Sequence, residues 1–97
     1  MLEIVITKSK TKDKKYDAII DGKKTIHFGA KGYSDFTIHK DEERKDRYIN
    51  RHKKTENWNN PKTAGFYAKN ILWNKKSVKA SIEDTNKRFK NIQIKLS

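Results

Sequence analysis

The two ends of this chain alternate. Residues 2–7, LEIVIT, set Leu2, Ile4 and Ile6 against Glu3, Val5 and Thr7, and residues 91–97 set Ile92, Ile94 and Leu96 against Gln93 and Lys95. A period of two marks a strand with one buried face, because successive side chains leave a pleated backbone on opposite sides. Strands at both ends constrain the fold strongly. The last is expected to return to the initial sheet, beside the first, and the intervening chain must pack on that sheet. Tyr16–Ile20 and Thr25–Phe28 read as two further strands. Asp21-Gly22 between them suits the positive φ angles of a tight hairpin.

Downstream the spacing becomes helical. Asp41 is a natural N-cap, with Glu42 and Glu43 in the first turn where the helix dipole favours acids, and this helix is expected to run to about residues 52–54. Glu43 and Arg47, four apart, are placed to pair along it. Asn60-Pro61 is expected to start a second helix, with Asn60 as cap. Its apolar stripe is Ala64, Tyr67, Ala68, Ile71 and Leu72, closed by Trp73. Ser77 caps a third, in which Val78, Ile82, Thr85 and Phe89 share a face. The stretch 29–40 reads as the corner between sheet and helix: Gly29 and Gly32 bracket a turn, and Tyr33, Phe36 and Ile38 are expected to fold back on the sheet. The order βββ-ααα-β predicts an α+β domain, one small antiparallel sheet with three helices on one face.

No repeat or linker divides the chain, so residues 1–97 are expected to be a single domain, burying roughly 60–65% of its extended-chain surface. Only 33% of residues are hydrophobic and 37% are charged, so the core must be thin. Eleven isoleucines in patterned blocks nevertheless distinguish the chain from a disordered one. A thin core and an open sheet edge leave room for a homodimer. The absence of cysteine excludes a disulfide scaffold and any cysteine-based zinc site. The first apolar run is too short for a signal peptide or a membrane span, so neither secretion nor a membrane partner is expected.

The formal net charge is +12, and residues 61–97 carry nine basic groups against two acidic ones. Such a field attracts polyanions, either nucleic acid or an acidic protein surface.

Residues 28–58, FGAKGYSDFTIHKDEERKDRYINRHKKTENW, and 62–89, KTAGFYAKNILWNKKSVKASIEDTNKRF, resemble a group of small basic proteins from large DNA viruses of protists. The likeness is specific at Phe28-Gly29, Gly32-Tyr33-Ser34-Asp35, His39-Lys40-Asp41, Arg51-His52, Thr63-Ala64-Gly65 and Leu72-Trp73-Asn74. It implies a viral source, and with it a place in the virion or in the host-cell cytoplasm or viral factory. It supplies no catalytic residues.

Catalytic motifs are sparse. His27, His39 and His52 lie twelve or thirteen residues apart, without the spacing of a helix-borne metal pair. His39, Asp41 and His52 could assemble a metal-dependent nuclease only by folding together. Asp35 with Glu43-Arg44-Lys45 faintly matches an acid-then-acid-x-lysine nuclease pattern, but residues two apart on a helix diverge by about 200°. The glycines of GAKG fit neither a P-loop nor a dinucleotide fingerprint. No catalytic residue, metal or cofactor is therefore assigned.

Cation spacing carries more. Arg44, Arg47 and Arg51 share one helix face with Tyr48 alongside, unless Glu42, Glu43 and Asp46 neutralise it. Lys75 and Lys76, in the turn before the third helix, with Lys79 one turn in, suit phosphate contacts. Lys87, Arg88 and Lys90 cluster at the far end. Only Asn86 and Arg88 on that helix could read bases, and lysine favours phosphates over bidentate base recognition. Trp58, in a polar loop, and Trp73 could stack on exposed bases, although Trp73 fits a core better and Trp58 could instead lid the first two helices. The reading is a non-enzymatic viral accessory protein that binds nucleic acid non-specifically, in genome packaging or replication. The alternatives are a virion structural protein fastening acidic protein surfaces, and the nuclease.

Overall fold

Alternation at the two ends and helical spacing between them produce a sheet with one face covered by helices. A computed structural model describes residues 1–97. Its elements are β1 (Leu2–Lys8), β2 (Lys14–Ile20), β3 (Lys24–Ala30), α1 (Phe36–His39), α2 (Glu42–His52), α3 (Ala64–Tyr67), α4 (Val78–Arg88) and β4 (Ile92–Leu96). The strand order is β3-β2-β1-β4, so β4 does lie beside β1. It runs parallel to β1, with Leu2 opposite Ile92 and Ile4 opposite Ile94. The sheet is therefore mixed, where a wholly antiparallel one was expected. The cause is parity. β3 ends level with the end of β1, and the helical layer carries the chain back to the end where β1 begins. A strand that starts there beside β1 must run the same way.

The β2–β3 hairpin forms at the expected dipeptide, with Asp21 and Gly22 at φ 51° and 69°. The inner face of the sheet presents Ile4, Ile6, Ala18, Ile20, Phe28, Ile92 and Ile94, which close on Phe66, Tyr67, Ile71, Leu72 and Ile82 from the helices. The outer face carries the odd-numbered residues except at the corner, where Lys15 reaches Asp35 and Gly29 lies against Leu72 on the helical side. On the outer face Asp17 and His27 pair across strands at 2.5 Å, and Val5 and Ile19 are half-buried.

The helical layer departs from expectation at its second helix. Asn60 does not cap a helix: its Oδ1 accepts from Lys62 N at 3.0 Å, forming a turn over Pro61. Thr63 takes the cap instead, its hydroxyl accepting from Phe66 N at 3.2 Å. After one α turn the chain widens into a π-helical turn, Ala68–Leu72, closed by Trp73 N to Ala68 O at 3.1 Å. Widening leaves carbonyls without regular partners, and side chains supply them. Asn70 Nδ2 donates to Phe66 O and Asn74 Nδ2 to Asn70 O, while the Thr85 hydroxyl, 2.8 Å from Ser81 O and 3.3 Å from Asn70 O, closes over the same turn. Asn70 is wholly buried for that reason.

Asp41 and Ser77 cap α2 and α4 as expected, accepting from Glu43 N and Ala80 N respectively. The short α1 was not foreseen. Buried Asp35 caps it, accepting from Thr37 N at 2.9 Å and from Lys15 Nζ at 2.6 Å. Of the three side chains expected to fold back on the sheet, only Phe36 is buried. Tyr33, in the turn after β3, and Ile38, on the outward side of α1, are 74% and 59% exposed. No helix is long and apolar enough to cross a membrane.

Candidate nucleic-acid interface

The candidate interface is built around α2. Its inner face carries Tyr48, which stacks on Trp73 with centroids 4.4 Å apart and planes 3° from parallel. The stack continues in both directions: Tyr48 meets His52 at 4.4 Å, Trp73 meets His39 at 5.3 Å, and His39 meets Phe36 at 6.2 Å. Five rings from three elements thus fasten α2 to the sheet corner and the end of the π turn. Burial, reinforced by Glu56 and opposed by Arg51, pushes the Tyr48 phenol up to about 12, so it stays neutral. On its other side α2 is held by Lys45, whose Nζ donates to Asn74 O at 2.6 Å and sits 4.9 Å above the Phe36 ring.

This ladder keeps the histidines apart. Asp41 N donates to His39 Nδ1 at 2.9 Å, which leaves the ring proton on Nε2, buried among the aromatic rings without a hydrogen-bond partner. His52 lies at the far end of α2, 3.8 Å from Glu56, and Asp41 is occupied as a cap. His39, Asp41 and His52 do not converge, and no group of three or more acids and histidines is placed to hold a metal. Asp35 is committed to Lys15 and Thr37, which removes the other carboxylate pattern from consideration.

With its inner face so engaged, α2 turns Arg44, Arg47 and Arg51 to solvent. The structure contains four ion pairs, and none involves these arginines. Glu43 does not pair with Arg47 as the spacing allowed, so this helix face is an uncompensated cationic one. Lys75, Lys76, Lys79, Lys87 and Lys90 are likewise exposed and unpaired.

Arg88 behaves differently. Its Nε donates to Asp84 at 2.8 Å and its Nη2 to Asn70 Oδ1 at 2.7 Å, so it braces the π turn against α4. Asn86 is also spent within the fold, exchanging two hydrogen bonds with the backbone of Ile94 at 3.0 and 2.8 Å. Both candidate base-reading side chains of α4 therefore serve the protein itself. Trp58 is half-buried, donating to Glu56 Oε2 at 2.9 Å beneath Lys69, whose Nζ lies 5.4 Å from its ring.

Asp84 joins these interactions. The hydrogen bond from Asn74, then those of Arg88 and the charges of Arg88 and Lys75, hold its carboxyl below the ordinary carboxylate range despite partial burial. A carboxyl depressed on folding stabilises the protein above its unfolded pKa, and that stability is lost as pH falls through the folded value. Asp84→Asn should therefore flatten the loss of stability below about pH 4, measured by denaturant unfolding across pH. An unchanged acid limb would contradict this assignment.

Besides a space of about 180 Å³ on the arginine face, lined by Arg44, Arg47, Tyr48, Arg51 and Trp73, two larger grooves flank α2. One encloses about 380 Å³ between α2 and the start of α4, lined by Glu42, Lys45, Lys75 and Lys76. The other encloses about 340 Å³ between α2 and the sheet corner. Lys15, Tyr33, Asp35, Arg44 and Arg51 line it, with Tyr48 and Trp73 also in its wall. Gly29 lies there at φ +77°, with Leu72 Cδ1 only 2.9 Å from where a Cβ would stand, so its position favours glycine. The sequence named the arginines and Tyr48 but not Lys15, which sits in a lysine-rich stretch that reads as loop. Nor did it foresee Tyr33 as an exposed ring. The only local signal was Asp35, which caps α1 and pairs with Lys15.

No curated protein and no solved structure matches the chain. The model of DUF5754, a family of unknown function, matches residues 4–52. That span runs from β1 to the end of α2. It includes Lys15, Tyr33, Arg44, Tyr48 and Arg51, whereas Lys75–Lys90 lie beyond it. It indicates no known enzyme activity: the chain belongs to the DUF5754 family of unknown function.

Proposed function

We propose that this protein is a non-enzymatic nucleic-acid-binding protein that contacts the phosphate backbone without reading sequence. The observation that carries the reading is the absence of any ion pair at Arg44, Arg47, Arg51, Lys75, Lys76, Lys79, Lys87 and Lys90. Eight exposed cations without partners supply the counterion-releasing contacts of a polyanion site. Arg88 supports the surface from within. With Asn86 and Arg88 both hydrogen-bonded inside the protein, lysine point charges dominate α4, and these favour phosphates over base edges. A viral source, the expectation drawn from residues 28–58 and 62–89, would make genome packaging or replication the setting of such binding.

The test is a binding titration with single-stranded and duplex oligonucleotides of unrelated sequence at about 50 mM salt, where backbone contacts are strong. Within each strand form, wild type should bind all sequences within a few-fold of one another, and Lys75→Glu/Lys76→Glu should weaken every one. Failure to bind any of them would overturn the reading in favour of an acidic protein surface as partner.

A further inference from the structure

We infer that the groove between α2 and the sheet corner receives one unpaired nucleotide of a bound strand, so that the protein prefers single-stranded to duplex nucleic acid. This rests on the nucleic-acid reading above and specifies how one part of the surface serves it.

The groove combines two chemistries. Arg44 and Arg51 give it two uncompensated positive charges, since Lys15 and Asp35 cancel one another across a 2.6 Å pair. That pair is nearly inaccessible, with side-chain exposures of 14% and 3%, and it fixes the wall from which Tyr33 projects. Tyr33 is 74% exposed, an uncommon setting for a large ring that nothing else in the fold occupies. Tyr48 and Trp73, locked in parallel, make the opposite part of the groove rigid and aromatic. At about 340 Å³ the space is at the small-ligand end of the usual pocket range, enough for one base and its phosphate.

Phosphate alone does not explain the aromatic side. Bases of a duplex are stacked on one another and cannot reach a concave pocket, whereas an unpaired base can leave its strand and stack on a protein ring. Arg44 and Arg51 would then hold the adjoining phosphate, and Tyr33 would cover the base. The exposed lysines of α4 have no comparable aromatic partner and would bind either kind of strand equally.

The test compares a thymidine oligonucleotide of about 16 nucleotides, within the range one small domain covers, with the same strand paired to its complement. Tyr33 is exposed and makes no side-chain hydrogen bond, so Tyr33→Ser should leave folding intact. It should weaken single-strand binding about tenfold, the scale of removing one base stack, and leave duplex binding unchanged. Lys75→Glu/Lys76→Glu should weaken both strands alike. Equal effects of Tyr33→Ser on the two strands, or no effect on either, would overturn the inference while leaving the nucleic-acid reading standing. Wild-type protein that binds neither strand would overturn both. Displacement of the oligonucleotide by thymidine monophosphate at equal concentration would also overturn it, since the groove would then serve free nucleotides.

Discussion

Asp35→Ala is expected to cost about 3–5 kcal/mol, the loss typical of removing one partner from a buried ion pair. Three donors converge on this carboxylate: Lys15 Nζ at 2.6 Å, Thr37 N at 2.9 Å and the Thr37 hydroxyl at 2.5 Å. Alanine leaves the Lys15 ammonium in a wall where it is only 14% exposed, and it uncaps α1, which positions Phe36 and His39 in the aromatic ladder. A domain of this size is stable by only about 5–15 kcal/mol, so the variant should lose a large part of its resistance to urea. Replacing both partners, as Lys15→Met/Asp35→Leu, should recover much of the loss, because no buried charge is then stranded. A cost under about 1 kcal/mol, the scale of an exposed pair, would show that the pair is solvated and the corner loosely held.

Reversing the arginine face should act on binding and not on folding. Arg44, Arg47 and Arg51 form no ion pair, so Arg44→Glu/Arg47→Glu/Arg51→Glu should keep its circular dichroism spectrum. At about 1 kcal/mol for each arginine–phosphate interaction removed, affinity for an oligonucleotide should fall roughly a hundredfold. The dependence of log affinity on log salt should become shallower by about 2 to 3, because three phosphates no longer release counterions. A triple variant that folds and binds like wild type would move the interface entirely to the lysines of α4 and its preceding turn.

Local chemistry made most of the fold legible. Alternating residues gave the strands their inner face, Asp21-Gly22 the hairpin, and Asp41 and Ser77 their helix starts, since each depends on near neighbours in sequence. What escaped depended on the whole chain or on competition between neighbouring groups. The parallel direction of β4 follows from where the helical layer returns, which no short window contains. The late start of α3 reflects Thr63 taking the cap after Asn60 forms a turn over Pro61. The π turn depends on Asn70 and Asn74 meeting freed carbonyls, with Thr85 of the neighbouring helix packed over Asn70 O.

The candidate site was legible in its charges and not in its shape. Spacing alone placed Arg44, Arg47 and Arg51 on one face, but could not decide whether Glu42, Glu43 and Asp46 would neutralise it. The absence of those pairs is a tertiary fact. Conversely, Asn86 looked available from sequence because its partner, the Ile94 backbone, lies 8 residues away, and Arg88 because Asn70, which completes its bracing beyond the adjacent Asp84, lies 18 away. The groove itself joins β2, the 29–35 corner, α2 and the π turn, so it exists only once the sheet and helices are assembled.

The most direct test of the account is the salt dependence of binding between wild-type protein and a single-stranded oligonucleotide. With five or six of the eight unpaired cations on phosphates, log affinity should fall against log salt with a slope near −4, about 0.7 for each phosphate engaged. A slope shallower than about −1, or no binding at 50 mM salt, would mean that at most one phosphate is neutralised, and the cationic surface would then be no backbone-binding site.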